Sequence, residues 1–190
     1  MSQFFDTLPP SLRDFIGRQR MFFTASASAG SRVNLSPKGS DCLRVLDGNM
    51  VVYLDQTGSG NETAAHVRND SRLTLMFCAF EGAPMILRLY GRGRVLPRGG
   101  AEYAHLLATA YMGEEPPGAR QMIALDIGSV QTSCGYSVPL YEFREDRQTL
   151  KQWAERKGPE GLDQYWREKN LRTIDGLPTG MDADLADAAE

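Results

Sequence analysis

No apolar run in this sequence approaches the ~20 residues that a membrane-spanning helix needs. The opening stretch "MSQFFDTLPPSLRDF" lacks a basic region followed by an apolar core, so no secretory signal is expected. A basic excess is missing too. The net charge is −3 and the pI near 5.5, which excludes a general nucleic-acid binder. Cysteine is scarce: Cys42, Cys78 and Cys134 lie far apart with no CxxC pair. That excludes a metal knuckle and suits the reduced thiols of a cytoplasmic protein. His66 and His105 are the only histidines, too few for a His-rich metal centre, so no metal site is expected. Cys134, in "QTSCGYSVP", would be a nucleophile only beside a base, and neither histidine stands in a recognisable arrangement with it. A small buried thiol beside Gly135 is the plainer account. No internal repeat is present.

What is there is an ordinary globular composition, 42% hydrophobic and 24% charged over 190 residues. That suits one domain with a sizeable core and an added helical arm. Prolines and a closing glycine frame a short helix over 9–17. Extended runs follow over 20–28 and 31–39, and "CLRVLDGNMVVYLD" reads as two strands around an Asp47-Gly48-Asn49 turn. "RLTLMFCAF", Arg72 to Phe80, reads as a strand buried on both faces. "MILRLYGRGRVL", Met85 to Leu96, is a long strand whose Gly91 and Gly93 suggest a bend or bulge. A helix is expected around 101–111, then a long extended segment to Phe143. After it come charged helical stretches carrying Trp153, Tyr165 and Trp166, and an acidic tail that either extends as a frayed helix or is mobile. Strands do not alternate regularly with helices, so an antiparallel barrel followed by helices is expected rather than a doubly wound sheet.

Three stretches carry candidate chemistry. In "SRVNLSPKG", alternation places Arg32, Asn34 and Ser36 on one face with Lys38 where the strand ends. That face is either the solvated side of an edge strand or a site offering two cations, an amide and a hydroxyl to an anion. In "TGSGNETAAHVRND", Thr57, Ser59, Asn61 and Thr63 surround Gly58 and Gly60 ahead of a helix. One of them is expected to be an N-cap; the repetition of hydroxyl and amide groups also suits a phosphate ester at the helix N-terminus. Arg88, Arg92 and Arg94 alternate along one strand, as the wet face of a sheet does, or as a source of a cation for that phosphate.

Taken in order, "SRVNLSPKG", "VVYLDQTGSGNETAAHVRND", "RLTLMFCAF" with "ILRLYGRGRV", and "VQTSCGYSVP" resemble the pyridoxamine 5'-phosphate oxidase-like family of FMN-binding split barrels. The resemblance covers about residues 15–145 and continues loosely into "KNLRTIDGLP". It implies a mainly β fold, a six-stranded antiparallel split barrel with flanking helices. The barrel domain would span 1–145, and a C-terminal helical extension over 146–190 would pack on the barrel or on a dimer partner. It further implies a homodimer with FMN at the interface and an FMN-dependent oxidoreductase acting on a small molecule. The alternatives are a flavin-binding or sensing protein without turnover, or a split barrel that binds haem or a deazaflavin. Carried over by position, Arg32, Asn34, Ser36 and Lys38 match the first cofactor strand, and Thr57, Ser59, Asn61 and Thr63 the phosphate turn. Gln131, Ser133 and Cys134 fall in the last barrel strand, where family members approach the flavin or the partner. Where the oxidase itself has Ser-Arg-Lys, this chain has Asn61-Glu62-Thr63, which moves the burden of charge to Lys38 and Arg32. The oxidase's C-terminal substrate motif is not recognisable, so the resemblance does not extend to vitamin B6 oxidation. His66 is the one suggestive axial ligand for haem, and Trp153, Tyr165 and Trp166 would either wall a substrate site or pack on the barrel.

Overall fold

The computed structural model describes residues 2–39, 41–46 and 49–187. In chain order its elements are β1 (Gln3–Phe5), α1 (Pro10–Arg18), β2 (Phe22–Ser26), β3 (Asn34–Lys38), β4 (Leu43–Val45) and β5 (Met50–Gln56). Then come α2 (Glu62–Asp70), β6 (Arg72–Cys78), β7 (Ile86–Pro97), α3 (Ala101–Ala110), β8 (Ala119–Ser133), α4 (Thr149–Lys169) and α5 (Met181–Asp187). All eight strands form one antiparallel sheet in the order β3-β2-β6-β7-β8-β5-β4, with β1 paired to β8. The six strands that the resemblance implies are eight here: β4 and β5 are the two strands expected around the Asp47-Gly48-Asn49 turn, and β1 is a three-residue strand too short to carry an alternation signal. Asp47 and Gly48 of the expected β4–β5 turn lie outside the described residues.

Alternation decides what faces the core. Leu73, Leu75 and Phe77 on β6, Leu87 and Leu89 on β7, and Ile123 and Leu125 on β8 fill the barrel interior with Val51 and Tyr53 of β5. The opposite faces of β5 and β8, with Val52, Leu54, Met122 and Ala124, are buried as well, because α3 covers them with Tyr103 and Leu106. β6 differs from its expectation: Thr74 and Met76 are only half-buried, so it is covered fully on one face alone.

The glycines of β7 serve two close approaches. The β7–β8 register shifts between Tyr90 and Gly91, and a Cβ on Gly91 would stand 2.0 Å from the Asp126 carbonyl oxygen. A Cβ on Gly93 would meet Val67 of α2 at 2.8 Å, so this glycine lets α2 lie against the sheet. Beyond β8 the chain runs extended and exposed to α4, whose two helical pieces join at Gly158 (φ 65°) and Pro159. The second piece returns to the barrel through Leu162 and Trp166, which pack with Ala154 and Met181.

Candidate functional site

β3 and β5 lie towards opposite ends of the sheet order and share no backbone ladder. The gap between them is bridged by side chains. Lys38 Nζ donates to Asp55 Oδ1 at 2.7 Å, and Arg120 Nε and Gln121 Nε2 donate to Asp55 Oδ2 at 2.8 and 2.9 Å. Asp55 and Arg120 are both buried. Burial would raise the Asp55 carboxyl, but the charges of Arg120 and Lys38 and the hydrogen bonds outweigh it and hold the group well below the usual carboxylate range.

The turn before α2 is anchored from behind. Arg120 Nη1 donates to the Gly60 carbonyl at 2.9 Å and to Asn170 Oδ1 at 2.8 Å, and Asn170 Nδ2 donates to the Gly58 carbonyl at 3.2 Å. Thr57 donates its hydroxyl proton to the Gly118 carbonyl and accepts from Trp166 Nε1, each at 2.8 Å. Asn61 occupies the N-cap position without capping; its Oδ1 instead accepts from Gln121 Nε2 at 2.7 Å. Among the described residues, nothing accepts from the backbone N–H groups of Ser59, Gly60, Glu62 and Thr63. A helix N-terminus is left with open donors.

Those groups border a cavity of about 630 Å³ lined by Asn34, Ser36 and Lys38 from β3, Ser59, Glu62 and Thr63 from the turn, and Asp55 and Arg120. The end of α4 and the segment after it close it with Lys169, Arg172, Thr173 and Ile174. Four cations face two carboxylates. Arg120 has spent Nε and Nη1, and its Nη2 has no partner among the described residues. Buried behind the wall, it still reaches the cavity with two N–H donors unused. Glu62 Oε1 accepts from the Ile174 N–H at 3.1 Å and ties the closing segment to the start of α2.

The structure therefore brings together five of the residues expected from sequence: Asn34, Ser36, Lys38, Ser59 and Thr63. Asn34 Nδ2 reaches Thr63 Oγ1 at 3.1 Å, and Ser36 donates to Asn34 Oδ1 at 3.0 Å, tying β3 to α2. Thr57 and Asn61 line no part of the cavity. They are buried supports, because the turn's own scaffold needs their hydrogen bonds. Arg32 is exposed and paired with Asp175, where the strand has not yet begun, so it does not supply the charge expected of it. Gln131 accepts from Tyr90 and donates to Ser2, and Ser133 accepts from Arg88. Both sit on the outer part of the β7–β8 ladder and line no part of this cavity. Asp55, Arg120, Lys169 and Arg172 were missed. "KNLRTIDGLP" carried a signal for the last two; Asp55 and Arg120 look in sequence like ordinary strand residues.

The remaining candidates line no part of this cavity. Trp166 is buried on Thr57, and Trp153 stacks edge-on with Tyr165 on α4. His66 is buried with Nδ1 3.1 Å from Ser26 Oγ. Cys134 is exposed rather than buried, Cys78 is buried, and burial pushes the Cys42 thiol up to about 12. No group of three or more potential metal ligands occurs among the described residues, and no helix is long and apolar enough to cross a membrane.

Comparison with known proteins bears on this site. A family profile described as pyridoxamine 5'-phosphate oxidase matches residues 8–134. The pyridoxamine 5'-phosphate oxidase family protein ustO of Aspergillus flavus is 38% identical over 207 residues, covering the whole of this chain and 82% of that protein. Among solved structures, a HupZ variant of Group A Streptococcus superposes with a TM-score of 0.53 at 16% identity, over 66% of this chain and 99% of that one. A Lactobacillus delbrueckii protein named for pyridoxamine 5'-phosphate oxidase gives 0.52 at 19%, over 66% and 94%. Both structural likenesses speak for the fold alone.

Proposed function

The chain belongs to the pyridoxamine 5'-phosphate oxidase family, and from that premise we propose that it binds FMN, with the phosphate in the cavity between β3 and α2, and that it is an FMN-dependent oxidoreductase acting on a small molecule. The observation that carries this reading is Arg120: a buried guanidinium with unused donors, set opposite the open N–H groups of the α2 N-terminus. Two independent anion-binding devices face one volume. The lining leaves two positive charges in excess, which matches a phosphate monoester dianion.

Each side chain has a part in holding such a group. Arg120 Nη2 and the Ser59–Thr63 amides take phosphate oxygens. Lys38 is held in place by Asp55, and Ser36, Ser59 and Thr63 offer hydroxyls. Lys169 and Arg172 close over the top, replacing the two cations that Asn61-Glu62-Thr63 does not supply at the helix start. Bound FMN would supply the hydride chemistry; the chain's residues supply binding, orientation and exclusion of water. A second copy of this chain is the proposed partner. Val33 and Leu35 are 74% and 62% exposed at the β3 edge of the sheet, and Phe4 is 66% exposed on β1, beside β8; these are apolar side chains of the kind a homodimer would cover.

An absorption spectrum with mass spectrometry of the co-purifying ligand tests the reading. A flavin band near ~450 nm released by denaturation is expected; a colourless protein that takes up no added FMN overturns it. Lys169→Ala with Arg172→Ala should weaken FMN about a hundredfold or more, since both line the cavity and each charge-assisted contact contributes about 1.5–3 kcal/mol. Reduction of the bound flavin by NADH, NADPH or a candidate substrate supports turnover, and no reduction by any donor favours a binding protein.

A further inference from the structure

A second cavity, about 340 Å³, opens between α1 and the far end of β3. Its floor is apolar and aromatic. Phe22 and Phe77 are stacked with centroids 5.6 Å apart, and buried Ile16 and half-buried Leu43 complete it. Its rim is basic. Lys38 and Arg44 stand there but are already matched, Lys38 by Asp55 and Arg44 by Asp41. Arg13 and Arg20 are not: among the described residues neither makes a hydrogen bond or an ion pair, and Arg20 rests only against the Phe143 ring at 4.8 Å. Among the described residues, Asp41 is the one carboxylate on the rim. The C-terminal carbonyls of α1 also point this way, but Gln19 satisfies those of Phe15 and Ile16, which reduces their repulsion of an anion.

We propose that this cavity binds a small aryl carboxylate, its ring over Phe22 and Phe77 and its carboxylate on Arg13 and Arg20. The chemistry of each part selects the class. A flat apolar floor favours an aromatic body. A guanidinium fork fits a planar carboxylate with two parallel hydrogen bonds. The volume lies at the small end of ligand cavities, room for about one ring with a short side chain. Inorganic phosphate would leave the aromatic floor unused, and a neutral aryl compound would leave the two guanidiniums unused. The site needs none of the residues that line the polar cavity except Lys38, which borders both.

The probe is phenylacetate, with phenylacetamide as its neutral counterpart, titrated calorimetrically into the full chain. Phenylacetate should bind saturably, and phenylacetamide about tenfold or more weaker. Arg13→Met keeps the aliphatic stem and should cost a similar factor; Arg13→Met with Arg20→Met should abolish binding. Thermal midpoints and FMN uptake of these variants should match the parent, which separates failure here from failure of the flavin reading. Equal affinity for acid and amide, unchanged affinity in the double variant, or no saturable binding of phenylacetate at about 10 mM would overturn the assignment.

Discussion

All of β7, from Ile86 to Pro97, is registered against β8, while β3 and β5 share no backbone pair and meet through Lys38 and Asp55. The first junction buries Leu87 and Leu89 against Ile123, Leu125 and Val130. The second buries a carboxylate between two cations. Backbone ladders bring strands within about 5 Å and leave no room between them. A junction made by side chains stands wider, and its polar atoms must be satisfied where they are. The split is therefore both the costly part of this barrel and the part with space for a ligand. It also explains why the C-terminal segment returns here: Asn170, fully buried, and Trp166 complete the hydrogen bonds of a turn the barrel itself does not hold.

The contrast can be broken at its strongest point. Asp55→Asn leaves Arg120 and Lys38 without their counter-charge and should cost about 3–5 kcal/mol, measured by urea denaturation. The depressed Asp55 carboxyl contributes stability that is fully present above its unfolded pKa, about 3.9, and is lost as the pH falls through the lower folded value. The difference between parent and variant should thus be flat through neutral pH and shrink only below about pH 4. Leu89→Ala, on the ladder side, should cost about 2–5 kcal/mol, with no such pH dependence. If both differences shrink in acid alike, the seam is not held by the ion pair.

Smaller changes sharpen the comparison. Trp166→Phe removes one hydrogen bond to Thr57 and should cost about 1 kcal/mol in stability. FMN affinity should fall as well, because the turn loses a support, and equilibrium dialysis reads that. Arg32→Ala breaks an exposed pair with Asp175 and should cost under about 1 kcal/mol. FMN affinity should stay unchanged in the same assay; a large loss would place Arg32 in the site after all.

Much of this was legible before the fold. Alternation placed Asn34, Ser36 and Lys38 on one face because a strand's side-chain period is two, and the glycine-rich run before "NETAAHVRND" marked a turn entering a helix. The same local signals misassigned Asn61, which has the right residue type for a cap but bonds Gln121 instead. They said nothing of Arg120, which sits 60 residues from the glycine whose carbonyl it holds. Cys134 shows the same limit: next to Gly135 it reads as a small packed residue, yet it is exposed because the chain leaves the sheet at Ser133.

By itself, the sequence determined the family, the antiparallel β class and the strand-turn-helix stretch that frames the cavity. Those properties rest on local periodicity and on motif order, which the chain carries along its length. Only the tertiary structure decided where the charge lies. Arg120, Lys169 and Arg172 converge on the α2 N-terminus from β8, from the last residue of α4 and from the segment after it. Electrostatic assembly depends on distance in space, and no spacing along the chain records which distant cations a fold will bring to one turn.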